Sequence, residues 1–330
     1  MRAVVLVGGF GTRLRPLTSA IPKQMLPIVD RPMIEHVLAH LGRHGVTEAV
    51  LSLGFLPDAF ASAYPDGVCA GLALHYAVEP EPLDTAGAVR FAAHDAGIDE
   101  RFLVVNGDVL TDLDVTQLIE FHAAHDAEAT IALHRVDDPS AYGVVPTDEE
   151  GRVQAFVEKP VPGTAPTDLI NAGTYVLEPS VLERIPEGRK VSIERETFPA
   201  IVGDGRLFAR AGDTYWIDTG TPASYLRAQL DLVDGVRGAR WPAVSAAATV
   251  DGAALVEHSI VGAGASIAKG AEVRDSAVLP GAVVGQGALV EGSIVGPRAT
   301  VGPEARVIGL SVLGACAEVA PGEALDGERR

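Results

Sequence analysis

Cysteine is nearly absent: the 330 residues hold two, Cys69 and Cys316, far apart and in no metal-ligand spacing. That scarcity excludes a disulfide framework and a zinc site, and a reducing, cytoplasmic location is expected. Basic charge is scarce as well, with 26 Lys and Arg against 44 Asp and Glu and a formal net charge of -18 at pH 7. No Lys/Arg block offsets that field locally, so neither nucleic acid nor an anionic membrane is an expected partner. Long apolar runs are missing too. The run over residues 3–7 stops at Gly8-Gly9, too short for a signal-peptide core, and no later stretch reaches bilayer length. The 47% hydrophobic composition instead suits one large domain and one smaller one, each with its own core.

Two different periods divide the chain. Up to about residue 235, β-branched runs alternate with helical patterns: 3–7, then 33–44 ending at Gly45, then 49–53, and later 102–105 followed by 115–124. That alternation implies βαβ units and an α/β, Rossmann-like, mainly parallel sheet, whose ligands sit beyond the carboxyl ends of its strands. A helix is expected over 222–233. Apolar residues then recur every six positions: Leu255, Val261, Ile267, Val273; Val278, Val284, Val290; Val295, Val301, Val307, Leu313, Val319, with a step of five between runs. Small residues usually follow these positions, and Ala or Ser recurs three residues further on. This is a hexapeptide repeat, the signature of a parallel β-helix with apolar side chains stacked inside each coil. The expected domains are 1–240, the α/β domain, and 241–330, the β-helix.

Directly after the first strand stands Gly8-Gly9-Phe10-Gly11-Thr12-Arg13-Leu14. Glycines let backbone approach a polyphosphate, and successive N–H groups form an anion-binding nest. The loop lacks the Gly-Lys-Ser/Thr ending of a P-loop and the glycine spacing of a dinucleotide fingerprint, which removes the main support for a kinase or a dehydrogenase. Ten residues past Arg13 come Pro22-Lys23, within Ile21-Pro22-Lys23-Gln24-Met25-Leu26-Pro27. Asp108 closes Val104-Val105-Asn106-Gly107-Asp108 at the carboxyl edge of a strand, and Asp218 follows another short strand in Tyr215-Trp216-Ile217-Asp218-Thr219-Gly220. Two carboxylates suit one Mg²⁺ that also carries phosphates. Asp108 could equally be a turn aspartate, and Asp218 a cap of the 222 helix.

The loop and the Pro-Lys that follows it resemble the opening motif of the sugar-1-phosphate nucleotidyltransferase (nucleotide-sugar pyrophosphorylase) family, and the resemblance covers essentially the whole chain. It implies a glycosyltransferase-A-like core and a left-handed hexapeptide β-helix. It also implies that Gly8, Gly9, Gly11 and Thr12 line a nucleoside triphosphate, while Arg13 and Lys23 neutralise charge developing at the α-phosphorus. Asp108 and Asp218 are assigned by the same resemblance to Mg²⁺. Tyr142-Gly143-Val144-Val145, Phe156-Val157-Glu158-Lys159-Pro160 and Ile170-Asn171-Ala172-Gly173 match the family in order. By resemblance Gly143, Glu158 and Asn171 contact the sugar and Lys159 grips its phosphate. Leu83-Asp84-Thr85-Ala86-Gly87-Ala88 resembles the base-recognition segment of guanylyltransferases, which adds Thr85 and Gly87 to the nucleotide site and favours GTP. Asp84 stands where that segment usually has Gly, and Gln24 where the opening motif has Pro.

The reaction so implied is NTP plus sugar 1-phosphate giving NDP-sugar and pyrophosphate, with mannose 1-phosphate favoured because the overall layout resembles that subgroup. Another nucleotide, another hexose or a cyclitol 1-phosphate would leave nearly the same sequence. A regulatory homologue that binds sugar phosphates without turnover is an alternative of another class, against which Arg13, Lys23 and Asp108 all argue. Acyl transfer, also found on hexapeptide β-helices, would need a general-base histidine; His258 alone lies in this region and reads as structural. The β-helix makes a homo-oligomer the expected assembly. His36, His40 and His44 read as a partly exposed helix face.

Overall fold

The computed structural model describes residues 1–54 and 56–330. The chain gathers into two compact units, residues 1–9 with 35–216, and residues 10–34 with 217–330. The second unit therefore takes in the Phe10–Ile34 segment as well as the hexapeptide repeat.

Among the described residues of the first unit, ten strands form one mixed sheet. Along its main path the order is Val157–Glu158, Gly143–Val144, Leu169–Leu177, Phe102–Asn106, Arg2–Leu6, Glu48–Leu53, Leu72–Val78 and Val68–Cys69. Ala129–Arg135 pairs with Leu169–Leu177 and, in parallel, with Leu207–Ala211. The centre is parallel: Val4 lies beside both Val50 and Val104, and Leu51 beside Tyr76. The strands Arg2–Leu6, Glu48–Leu53 and Phe102–Asn106 are mostly apolar and buried along their middles, as expected where helices cover both faces of such a sheet. Val4, Val50, Val104, Ile131, Tyr175 and Phe198 belong to the resulting core. Leu169–Leu177 runs antiparallel to its neighbours, so the sheet is mainly, not wholly, parallel. Asp114 caps the helix Val115–Ala124 by accepting from Gln117 N at 3.0 Å, which satisfies one of the helix's orphan donors.

One expectation for the first unit is corrected. His36 and His40 are 7% and 6% exposed, so these two histidines of the helix Met33–Arg43 pack inward, while His44, just past its end, stays part-exposed. Arg43 Nη2 lies 3.1 Å from His40 Nδ1, and His44 Nδ1 2.9 Å from Thr116 Oγ1.

In the second unit, short strands stack in parallel in three rows. Their inner side chains form continuous ladders: Val250, Ile267, Val284, Val301 and Val319; Val256, Val273, Val290, Val307 and Leu325; and Val261, Val278, Val295 and Leu313. This is a parallel β-helix. Partners lie seventeen residues apart in the early coils, not eighteen, because each coil drops one residue at the same corner. The step of five in the repeat is that shortened corner, and it corrects one position. Leu255 pairs with Glu272 and is 41% exposed, whereas Val256 takes the inner place.

A ladder of buried serines, Ser259, Ser276, Ser293 and Ser311, runs along this corner, which is short at the first three and full length at the last. Each hydroxyl donates to a carbonyl of its own corner, at 2.6–2.8 Å, and accepts the backbone N–H of the next coil, at 3.0–3.2 Å. The corner thereby keeps its backbone satisfied where the regular ladder is interrupted. Ser276→Ala strands the buried Ser293 N–H and leaves the Arg274 carbonyl with the Gly292 N–H alone, and is expected to lower unfolding free energy by about 1–3 kcal/mol. Chemical denaturation measures it; a loss below about 0.5 kcal/mol, the size of an ordinary surface substitution, would contradict the ladder's role.

His258 reads as a clasp in the same unit. Its Nδ1 lies 2.5 Å from Asp275 Oδ1 in the next coil, and its Nε2 3.0 Å from Asp234 Oδ2 at the end of the helix Pro222–Asp234. The Asp275 and Asp234 hydrogen bonds raise its pKa above the ordinary value. With the folded value raised, the clasp's contribution is complete below the unfolded pKa near 6.5 and fades as pH climbs through the folded value. The thermal midpoints of wild type and His258→Gln should accordingly differ at acidic to neutral pH and converge in alkali; a gap that widens with pH would refute this. The nearby Arg274 pairs with Glu272 and Glu257.

Candidate functional site

Within the first unit, the strand Arg2–Leu6 delivers the chain to Gly8 and Gly9 beyond its carboxyl end. Gly8 lies against Gly54: a Cβ on Gly54 would come within 3.2 Å of the Gly8 carbonyl, and one on Gly8 within 3.3 Å of Glu79 Oε1. Glu79 spans this corner, accepting from Ser52 Oγ at 2.9 Å and from Leu83 N at 3.1 Å. One carboxylate therefore ties the glycine loop's flank to the Leu83 turn, a role no sequence motif announced.

The neighbouring strand Phe102–Asn106 ends in Gly107 and Asp108. Gly107 N donates to Leu6 O at 3.0 Å, and a Cβ there would sit 2.7 Å from Val7 Cγ1. Only glycine brings the turn that close to the first strand and so fixes where Asp108 emerges.

Asp84 opens the helix Asp84–Asp95 with a left-handed φ of 61°, which explains why glycine suits that place; Asp tolerates it by accepting the Thr85 N–H at 2.8 Å. The Thr85 hydroxyl donates to Glu194 Oε2 and accepts from Ile193 N, each at 2.8 Å. Its side chain is thus committed to the 191–194 segment. Gly87 is there for packing, since a Cβ would stand 2.8 Å from Leu83 Cβ and 3.0 Å from the Arg189 carbonyl.

Gly143, Glu158 and Asn171 lie on three adjacent strands, and Lys159 directly follows the Val157–Glu158 strand. Gly143 pairs with Glu158, and a Cβ on it would press on the Phe156 ring at 2.7 Å and on Glu158 Oε2 at 3.0 Å. Lys159 Nζ lies 3.4 Å from Glu158 Oε1, and its backbone has a left-handed φ of 49°. Such strain persists where surrounding structure enforces it, commonly at ligand clamps. Asn171 donates to the Tyr175 hydroxyl at 2.8 Å and accepts from Gly173 N at 2.9 Å. Burial pushes the Tyr175 hydroxyl pKa up, and the nearby Glu194 and Glu158 charges add to it. Trp216 walls the same region: its Nε1 donates to the Ala172 carbonyl at 2.9 Å, and its ring stacks on His134 at 5.2 Å.

Within the second unit, Gly11 has a left-handed φ of 59° and packs on Thr18, whose hydroxyl donates to the Gly11 carbonyl at 2.7 Å; a Cβ on Gly11 would also meet Lys23 Cβ at 3.3 Å. Thr12 and Arg13 lie in the single turn Thr12–Leu14, and Lys23 opens the turn Lys23–Met25. Arg13 Nη2 stands 3.9 Å from Asp218 Oδ2, with the Arg13 side chain 62% exposed. Asp218 is not a helix cap: Thr221 caps the helix Pro222–Asp234 in a capping box with Ser224. Asp218 Oδ1 instead accepts from Gly220 N at 2.7 Å. Gly220 is the residue the sequence left without a role. A Cβ there would lie 2.6 Å from Arg13 Nη2 and 2.8 Å from Asp218 Oδ1. The Phe10–Ile34 segment is moored to the helix by Tyr225, whose hydroxyl donates to Pro27 O at 2.5 Å, and by Gln229, which binds Pro27 O and Val29 N.

Asp108 in the first unit and Asp218 in the second each carry a hard oxygen donor, the ligand type that suits a divalent ion keeping phosphate and water among its ligands. Among the described residues no group of three or more His, Cys, Asp or Glu is gathered as a metal site. Among them, too, no helix is long and apolar enough to cross a membrane.

Residues 2–235 match the Nucleotidyl transferase family model and residues 242–328 that of the GMPPB C-terminal domain. A mannose-1-phosphate guanylyltransferase of Mycobacterium tuberculosis is 46% identical over 236 residues, covering 71% of this chain and 65% of that protein. A probable mannose-1-phosphate guanylyltransferase 2 of Oryza sativa subsp. japonica is 41% identical over 265 residues, covering 78% and 72%. The chain spans 65% and 62% of the length of the first two curated relatives it matches. Among solved structures, HddC from Yersinia pseudotuberculosis complexed with GMP-PN superposes with a TM-score of 0.58 at 31% identity, covering 69% of this chain and 97% of that one.

Proposed function

We propose that this chain, which belongs to the Nucleotidyl transferase family, joins a nucleoside triphosphate to a sugar 1-phosphate, with GTP and mannose 1-phosphate as the favoured pair. The observation that carries the reading is the exposed Arg13 guanidinium held beside Asp218, with Gly220 leaving the room for both. Nucleotidyl transfer asks a protein for positioning and charge neutralisation more than for a covalent nucleophile, and this site offers cations and carboxylates in that role. The choice of GTP and mannose 1-phosphate is supported by the names of the curated relatives and by the HddC complex with GMP-PN.

In this reading an oxygen of the sugar phosphate attacks the α-phosphorus in line, the bond to the bridging oxygen of the β-phosphate breaks, and pyrophosphate leaves. Gly8, Gly9, Gly11 and Thr12 present backbone to the triphosphate, and Gly87 keeps the base turn closely packed. Thr85 acts by holding that turn to residues 191–194 rather than by its hydroxyl touching the base. Arg13 and Lys23 offset charge at the α-phosphorus. Lys159 orients the incoming phosphate, while Glu158 and Asn171 accept and donate hydrogen bonds to sugar hydroxyls, with the Gly143 backbone beside them. Asp108 and Asp218 are the residues that would hold Mg²⁺, which when bound supplies phosphate-charge neutralisation. The working division is a catalytic domain over 1–240 and a β-helix domain over 241–330, assembled as a homo-oligomer in the cytoplasm, a setting that fits the unpaired Cys69 and Cys316.

The test is pyrophosphate release with Mg²⁺ from GTP, ATP, UTP, CTP and dTTP against mannose, glucose, N-acetylglucosamine and cyclitol 1-phosphates. Highest kcat/KM with GTP and mannose 1-phosphate is the expected result. A different preferred pair would overturn the specificity and leave the chemistry; no release from folded protein would favour a non-catalytic sugar-phosphate binder.

A further inference from the structure

The β-helix touches the Arg13 turn directly. In the turn Thr12–Leu14, the Gly11 and Thr12 carbonyls are used locally, by Leu14 N at 3.0 Å and Arg15 N at 3.3 Å. The Arg13 carbonyl is taken from the far end of the chain: Arg329 Nη1 donates to it at 3.1 Å. Arg329 is held in register by the last coil, where Val312 and Arg329 form a parallel bridge, Arg330 N donates to Val312 O at 3.0 Å and Gly314 N to Arg330 O at 2.7 Å. Arg330 in turn is anchored on Glu323 and on the Glu318 carbonyl at 3.0 Å. The same coil receives Pro16, for a Cβ on Gly314 would fall 2.9 Å from Pro16 Cβ. The Phe10–Ile34 segment is thus pinned twice inside one compact unit, at Pro27 and Val29 by the helix and at Arg13 and Pro16 by the last coil of the repeat.

We infer that Arg329 is a positioning residue for the reaction, acting through the Arg13 carbonyl, and that the last β-helix coil is a buttress of the nucleotidyl-transfer loop as well as an assembly module. The inference rests on the role given to Arg13 above. Arg329 touches no substrate. It fixes the backbone from which the Arg13 guanidinium projects, and a guanidinium that acts on charge developing in the transition state loses kcat when its mooring loosens, with binding of the ground-state triphosphate little altered. A surface hydrogen bond sets the scale.

The experiment compares wild type, Arg329→Ala, Arg329→Lys and Gly314→Ala in two readouts. Hydrogen exchange over residues 10–18, which needs no activity, should quicken in Arg329→Ala and return toward wild type in Arg329→Lys, since an ammonium can still donate to the carbonyl. In pyrophosphate release, Arg329→Ala should lower kcat about three- to tenfold with KM for GTP changed by less than about twofold, Lys restoring most of it. Gly314→Ala, which crowds Pro16, should reproduce the kcat loss. Exchange over 10–18 unchanged in Arg329→Ala would overturn the inference whatever the activity. So would a kcat loss that tracks a fall in thermal midpoint and is not rescued by lysine, because that is general destabilisation. Absence of turnover in wild type would sink the functional reading instead, and the exchange result would still decide whether Arg329 holds the loop.

Discussion

Asp108→Ala is expected to cut pyrophosphate release from GTP and mannose 1-phosphate by about a hundredfold to a thousandfold, the scale seen when one preorganised electrostatic partner of a transition state is removed. The side chain emerges from a turn fixed by Gly107, which bonds Leu6 O and has no room for a Cβ beside Val7. Truncating the carboxylate leaves that turn intact, so thermal unfolding of the variant should match wild type while turnover collapses. Steady-state kinetics beside a melting curve decides it. Activity within tenfold of wild type would remove Asp108 from the site; equal loss of activity and fold would make it the turn aspartate of the plainer reading.

Gly220→Ala carries the second large effect, and it separates geometry from folding. The added methyl would stand 2.6 Å from Arg13 Nη2 and 2.8 Å from Asp218 Oδ1, both at the ends of side chains that can swing away. Folding is therefore spared, but the guanidinium and the carboxylate must part, and misplacement of about 1 Å at a reacting centre costs on the order of 10²-fold. The expected outcome is a kcat/KM loss of that order with an unfolding midpoint close to wild type. A fully active Gly220→Ala would show that the Arg13–Asp218 spacing does not matter to the reaction.

The two periods in the sequence carried most of the architecture. Helix Val115–Ala124 and the strand Phe102–Asn106 lie where alternating apolar runs put them, and the six-residue beat marks the β-helix. A period says nothing about an inserted antiparallel strand, and Leu169–Leu177 enters the sheet that way because pairing is decided by neighbours remote in sequence. A strict step of six points to Leu255, but the corner there is one residue short and Val256 fills the inner row. The Glu-His-Ser, Arg-Asp-Ser and Glu-Gly-Ser corners mark that shortening in the sequence itself.

The candidate site was legible as motifs and not as mechanics. Arg13 and Asp218, about two hundred residues apart in sequence, lie 3.9 Å from one another. What no motif revealed was the clearance at Gly220, the Glu79 tie between Ser52 and Leu83, or the mooring of Pro27 by Tyr225 and Gln229. Each depends on which side chain meets which backbone atom after folding. The same holds for His36 and His40, whose four-residue spacing fixes a common helix face but not what covers it.

The most direct test of the account follows phosphorus. Protein, Mg²⁺, mannose 1-phosphate and GTP labelled at the α-phosphorus are incubated and the products separated. Nucleotidyl transfer puts all the label into the nucleotide-sugar and leaves pyrophosphate unlabelled. Label retained in GDP, with the sugar phosphate gaining an unlabelled phosphate, would mean attack at the γ-phosphorus and would contradict the central claim.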